Sequence, residues 1–250
     1  MAKTDKTDRK AVIDQMRKKQ KSADRRRGAV IVTVCVVIAL GILAAAIVPI
    51  LKDKWDERKF DNTAIEDIGA SAASCQKITT KKADGNQQHV PVGTPVDYTT
   101  APPAFGPHWN QSGVAPAPFS RKFYTAKDRP ELESLVHNLE HGYAILWYDE
   151  TVADDSAQLD EIDAISRKFG DSDFRDKFIA APWKASDEGG KKFPGGAHIA
   201  LTHWSAGGNG VTDASKQVGV FQYCSEVSGA AVQDFMDKYP YTDSPEPSAM

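Results

Sequence analysis

The sequence predicts an α/β protein: one transmembrane helix followed by a small α/β sandwich. Three observations carry this reading. Residues 29–51 contain no charged side chain. Further on, short apolar runs such as Tyr143–Tyr148 (YAILWY) and Ala197–Trp204 are bounded by turn residues, as buried strands are. Between such runs, apolar residues recur at helical spacing, as at Leu132, Leu135, Val136 and Leu139.

The uncharged run comes first in the chain. Ala29–Leu51 is 23 residues, about 35 Å as a helix, against a hydrocarbon core of about 30 Å. Residues 1–27 hold 11 Lys/Arg and 4 Asp/Glu, leaving 20 basic and 30 acidic residues in the remainder. The far flank of the run offers only Lys52, Lys54, Arg58 and Lys59, diluted by Asp53, Asp56 and Glu57. The basic bias places the N-terminus in the cytoplasm and everything after Leu51 outside the membrane. Cys35 lies in mid-span behind Val34, which suits a packing residue and not a lipidation site. The expected division is a basic cytoplasmic leader 1–27, a transmembrane helix 28–52, a stalk 53–74, an extracytoplasmic domain 75–240 and a disordered tail 241–250 with Pro245 and Pro247. The leader suits contact with anionic membrane lipids. The acidic remainder excludes nucleic acid as a partner, because it lacks a phosphate-neutralising face.

The outer region holds two cysteines, Cys75 and Cys224. In an oxidising compartment such a pair is expected to form a disulfide; the alternative is two free thiols, one of them a metal ligand. Seven prolines between Pro91 and Pro118 exclude long helices there. Phe119–Thr125 then reads as a strand. A helix is expected from Asp128, where Asp128 and Glu131 have capping-box spacing and Pro130 sits in the first turn, to His141, with Gly142 ending it. Tyr143–Tyr148 is a strand. A second helix starts at Asp154 or Asp155 and runs to Phe169. Phe178–Trp183 and Ala197–Trp204 are strands, and Val227–Lys238 is the last helix. This order, β-α-β-α-β-β-α, resembles a thioredoxin-like one, although no Cys-x-x-Cys is present to perform thiol–disulfide exchange.

The stretch VHNLEHG carries the most chemistry. On the expected helix, His137 and His141 point away from the apolar face, with Glu133 on their side. Two imidazoles at i, i+4 can hold one metal ion. His108, in GPHW, is expected to join them from the Pro-rich loop, with Glu140 or Glu133 as a further group. His203 stands before Trp204, and His89 and His198 look incidental. The metal set is thus His108, His137, His141 and Glu140. Imidazole suits zinc and copper alike. The spelling His137-x-x-Glu140-His141 also matches the inverted zinc-peptidase motif, in which Glu140 would be the general base and Glu226 a candidate third ligand.

The segments APPAFGPHW, VHNLEHGYAILWY and LTHWS together resemble a bacterial family known as domain of unknown function 3105. The matching residues are Pro102, Pro103, Gly106, Pro107, His108, Trp109, His137, Asn138, Glu140, His141 and Gly142. The resemblance spans about Thr94 to Tyr239 and implies a membrane anchor with an outer domain, without implying a reaction. His203 stands where the family has a small residue, which argues against a ligand role for it. The function expected is that of a single-pass, non-enzymatic envelope protein whose outer domain binds a metal or another envelope protein. The rivals are a metal-dependent hydrolase and a purely structural interaction module.

Overall fold

The computed structural model describes residues 4–83 and 86–249. Met1–Lys3 of the leader and Met250 of the tail lie outside the described residues. The chain forms two units, divided after Asp56.

Helix α1 (Thr4–Lys59), all but its last three residues in the first unit, runs through the basic leader and the apolar segment without a break. Its stretch Ile13–Pro49 is long and apolar enough to cross a membrane, and its apolar side chains, Val30 to Val48 among them, are exposed.

The second unit is a mixed helix–sheet domain. Its elements are β1 (Thr79–Lys82), β2 (His89–Val90), β3 (His108–Trp109), α2 (Leu132–Glu140), β4 (Ala144–Tyr148), α3 (Glu150–Ala153), α4 (Ser156–Ser166), β5 (Phe178–Pro182), β6 (Ile199–Ser205), β7 (Val218–Cys224) and α5 (Gly229–Lys238). The main sheet has the order β1-β7-β6-β4-β5; β4 and β5 are parallel, and the other pairs are antiparallel. β2 and β3 form a separate parallel pair, with His89 opposite His108.

The sheet is covered on both faces, and the alternation of β4 shows how. Ile145 and Trp147 join Leu135, Val136 and Leu139 of α2, whereas Leu146 and Tyr148 join Ile162 and Ile165 of α4 and Val232 and Phe235 of α5. A strand buried on both faces reads as one continuous apolar run, which is why YAILWY shows no polar alternation. The bond Cys75–Cys224 ties the start of the domain to the end of β7.

Several expectations are corrected. α2 begins at Leu132 instead of Asp128, because a residue before proline is disfavoured in the helical region and Pro130 follows Arg129. Asp128 instead accepts hydrogen bonds from the Thr125 amide and hydroxyl and closes a turn. The end falls as expected: Gly142 has φ 92°, and Gly142 N–H and Tyr143 N–H donate to Leu139 and Asn138 carbonyls. Phe119–Thr125 is not a strand. It touches β5 at one bridge, Phe123 to Ala180. β1, β2, β3 and β7 were absent from the expected order.

The stalk and the tail are also corrected. Residues 60–74 pack on the domain: Phe60 and Ile68 are buried, and the Ile68 carbonyl accepts from Gly229 N–H. The described tail, residues 241–249, is held down. Lys177 Nζ donates to the carbonyls of Pro247 and Ala249, and Asp243 and Ser244 are buried. A polar, proline-containing sequence does not advertise such anchoring, because its contacts are made by backbone carbonyls common to every residue.

Candidate metal centre

All nine residues of α2 are buried, so it has no solvent face. Its apolar face meets the sheet. Its polar face is roofed by the proline-rich segment, which is tied down by α2 side chains. Asn138 exchanges two hydrogen bonds with the Ala117 backbone, Ser134 Oγ donates to the Val114 carbonyl, and Glu133 accepts from Val96 N–H. The last contact commits Glu133 to the roof and removes it from the candidate ligands.

Under this roof, His89, His108, His137 and Glu140 offer one donor atom each, all within 4.8 Å of one another. The ring centroids of His108 and His137 are 4.8 Å apart, and those of His89 and His108 are 5.0 Å apart. His108, His137 and Glu140 are buried, and His89 forms the exposed edge of the group.

Proton accounting at His108 shows what the group lacks. Its Nδ1 lies 2.9 Å from the Gly106 carbonyl. A carbonyl can only accept, so the imidazole proton sits on Nδ1. Nε2 is then a lone pair, and it stands 2.9 Å from Glu140 Oε2. These two atoms are at close range but out of hydrogen-bond alignment, and both are buried without a hydrogen-bond partner. Two facing acceptors repel unless a cation lies between them, either a proton or a metal ion.

The other carboxylate oxygen is fixed from behind. Gln87 Nε2 donates to Glu140 Oε1 at 2.7 Å, Gln217 Nε2 donates to Gln87 Oε1, and Trp204 Nε1 donates to Gln217 Oε1. This relay orients Glu140 and leaves Oε2 aimed at the imidazoles, as outer hydrogen bonds orient ligands at metal sites. Burial raises the Glu140 carboxyl, but with a proton on the His108 side that interaction, the Gln87 bond and nearby His137 outweigh it and hold it below its ordinary range. Burial, reinforced by His141 and His108, pushes the His137 imidazole down to about 3. At neutral pH the group therefore presents a carboxylate and at least one neutral imidazole, which are the protonation states a metal requires.

His141 is placed differently from the expectation. It follows the last helical residue, and its ring packs on His137 with centroids 4.4 Å apart. Its donor atom belongs to an adjacent group with Glu140 and Glu246. Burial pushes it down to about 4, with Glu140 opposing. The His-x-x-Glu-His spelling thus sends its two imidazoles to different donor groups, with Glu140 common to both. This departs from a peptidase motif, in which the histidines share one ion and the glutamate is free to act as base. Glu226 is exposed beside Glu161 and is not in either group. His203 is fully buried, but its ring nitrogens face the Tyr143 and Asp243 carbonyls at 3.1 and 2.8 Å. His198 pairs with Asp149.

Sequence reasoning missed His89 and Glu246. His89 enters only through its pairing with His108 across β2 and β3, a register that no local pattern announces. Glu246 enters because the tail is anchored.

The fold and the site define a class: a protein with an N-terminal helix long and apolar enough to cross a membrane, followed by an α/β domain that buries a histidine–glutamate cluster beneath a proline-rich roof. Residues 89–250 match the family described as Protein of unknown function (DUF3105), and the chain belongs to that family. The chain matches no curated protein and no solved structure.

Proposed function

We propose that this protein is a single-pass envelope protein of the cell membrane, with a cytoplasmic N-terminus, whose extracytoplasmic domain binds a transition-metal ion. The ion is held by His89, His108, His137 and Glu140. The observation that carries this reading is the pair of buried acceptors, His108 Nε2 and Glu140 Oε2, 2.9 Å apart with no aligned hydrogen atom between them. Ligands at about 2.0–2.1 Å from one ion stand about 3.4 Å apart in a tetrahedron, so modest ring rotations bring donors that lie within 4.8 Å of one another to ligand distance. His89 Nδ1 contacts the Asn110 amide at 3.2 Å. A half-turn of that amide presents its oxygen to an Nδ1 proton and frees Nε2 as a ligand. Three imidazoles and a carboxylate suit Zn²⁺ or Cu²⁺ better than Cu⁺.

Metal content decides the reading. The full chain, purified in detergent, should retain close to one equivalent or more of zinc or copper, and the His108→Ala/His137→Ala double variant should retain none. A folded wild-type protein that takes up neither metal would overturn the proposal and leave a structural interaction module.

The orientation has its own test. A reporter active only outside the cytoplasm, fused to the C-terminus, should be active; activity of a cytoplasmic reporter there would reverse it. The Cys75–Cys224 bond supports an oxidising compartment. We also infer that the sandwich is thioredoxin-like. A β4–α4–β5 crossover between parallel strands, followed by the antiparallel pair β6–β7 and α5, supports this.

A further inference from the structure

We propose that the centre takes two metal ions, with Glu140 shared between them and the C-terminal tail supplying a ligand to the second through Glu246. This rests on the metal-binding reading above and extends it.

Glu140, His141 and Glu246 each offer a donor atom within 4.8 Å of the others. His141 Nε2 is 3.6 Å from Glu246 Oε2, too far for a hydrogen bond but close enough for two ligands of one ion. His141 is 5% exposed, and its other nitrogen, Nδ1, is buried without a hydrogen-bond partner. It is therefore through Nε2 that the ring addresses Glu246.

The position of Glu246 is built and not incidental. Its N–H donates to the Glu140 carbonyl at 3.0 Å, which fixes the tail directly over the shared ligand. On either side the tail is clamped. Asp243 accepts from Ser205 Oγ and Gly208 N–H, and Lys177 Nζ donates to the carbonyls of His141, Pro247 and Ala249. The Lys177 charge is directed onto these three carbonyls and lies on the backbone side of His141. Glu140 can serve both groups. Oε2 faces His108, while Oε1 accepts one hydrogen bond from Gln87 and keeps a second lone pair. Carboxylates that bridge two ions typically hold them about 3.5–4 Å apart.

The two positions are chemically unequal. The first has four protein donors, three of them imidazoles, and resembles a closed structural site. The second has one imidazole and two carboxylates, and Glu246 is 47% exposed. Three donors leave a coordination position for water or for an oxygen of an anionic ligand. The oxygen-rich set selects Zn²⁺ over Cu⁺. The first ion should therefore exchange slowly and the second readily.

Zinc titration of the full chain in detergent, with Zn²⁺ alone as the probe, tests this. Wild type should bind two ions in a tight and a weaker step. Glu246→Gln alters an exposed side chain and keeps every backbone contact of the tail, so it should fold, keep the tight step and lose the weaker one. Two ions in both proteins, or one ion in wild type, would overturn the second site and leave the proposed function standing. Binding of no metal by the folded wild type would instead sink the proposed function and the second site together.

Discussion

The domain buries histidines in two different ways. His203 is wholly buried in β6 with a carbonyl facing each nitrogen, and the neutral ring that burial favours donates to one of them. His108, His137 and His141 are almost as deeply buried, and each keeps a ring nitrogen without a hydrogen-bond partner. Lys177 is the fully satisfied case: its buried ammonium is surrounded by three carbonyls. Burial without a partner costs about 1–3 kcal/mol per polar group. The same domain that surrounds the Lys177 ammonium with three acceptors leaves acceptors facing one another in a histidine–glutamate group that could hold a cation. The difference teaches that the number of histidines is a poor guide to a site; what their nitrogens face is the informative quantity.

The largest expected effect tests the satisfied set. Lys177→Met strips three carbonyls of their donor, at about 1–3 kcal/mol for each one left unpaired. The urea midpoint should fall steeply and the tail should become protease-sensitive. An unchanged midpoint would remove Lys177 from the comparison.

The next effect tests the bare set. Zinc at about a hundred times its Kd should stabilise wild type by about 2.7 kcal/mol, read as a shift in denaturant midpoint. His108→Ala/His137→Ala should show no zinc-dependent shift. If wild type also shows none, the bare acceptors are satisfied by a proton and the contrast with Lys177 collapses.

A similar or smaller loss separates roof from ligands. Asn138→Ala removes both bonds to Ala117, and Ala117 N–H and its carbonyl are left unpaired. Stability should fall by about 1–3 kcal/mol while the zinc stoichiometry measured after refolding stays the same. A lost equivalent of zinc would make the roof a determinant of the site.

The smallest effect near neutrality is that of pH, and it grows on acidification. His137 and His141 are held down at about 3 and about 4 in the folded chain, from an ordinary value of 6.5. Below 6.5 the unfolded chain therefore binds more protons than the folded one, and the metal-free protein loses stability as pH falls through this window towards 4 and then 3. The paired variant His137→Gln/His141→Gln should flatten that slope between pH 6.5 and 4. An equally steep slope would place the acid sensitivity elsewhere, with His203 the first alternative, since burial lowers it too.

Much of this was legible in the chain because it is local. An uncharged run declares a possible membrane helix by length alone, and Gly142 declares the end of α2 because a left-handed residue is needed there. The i, i+4 spacing of His137 and His141 put both imidazoles near one place, and the GPHW segment supplied His108. Tertiary structure decided the rest. Parallel pairing of β2 with β3 brought in His89, a backbone register that leaves no mark in side-chain periodicity. The turn after Glu140 carried His141 to a second group, and Glu246 reached that group because Glu140, Lys177, Ser205 and Gly208, all distant from it in sequence, hold the tail. Local spacing fixes which side chains share a helix face. Which atoms meet across the domain depends on contacts between segments far apart in the chain, and no window of sequence contains both partners.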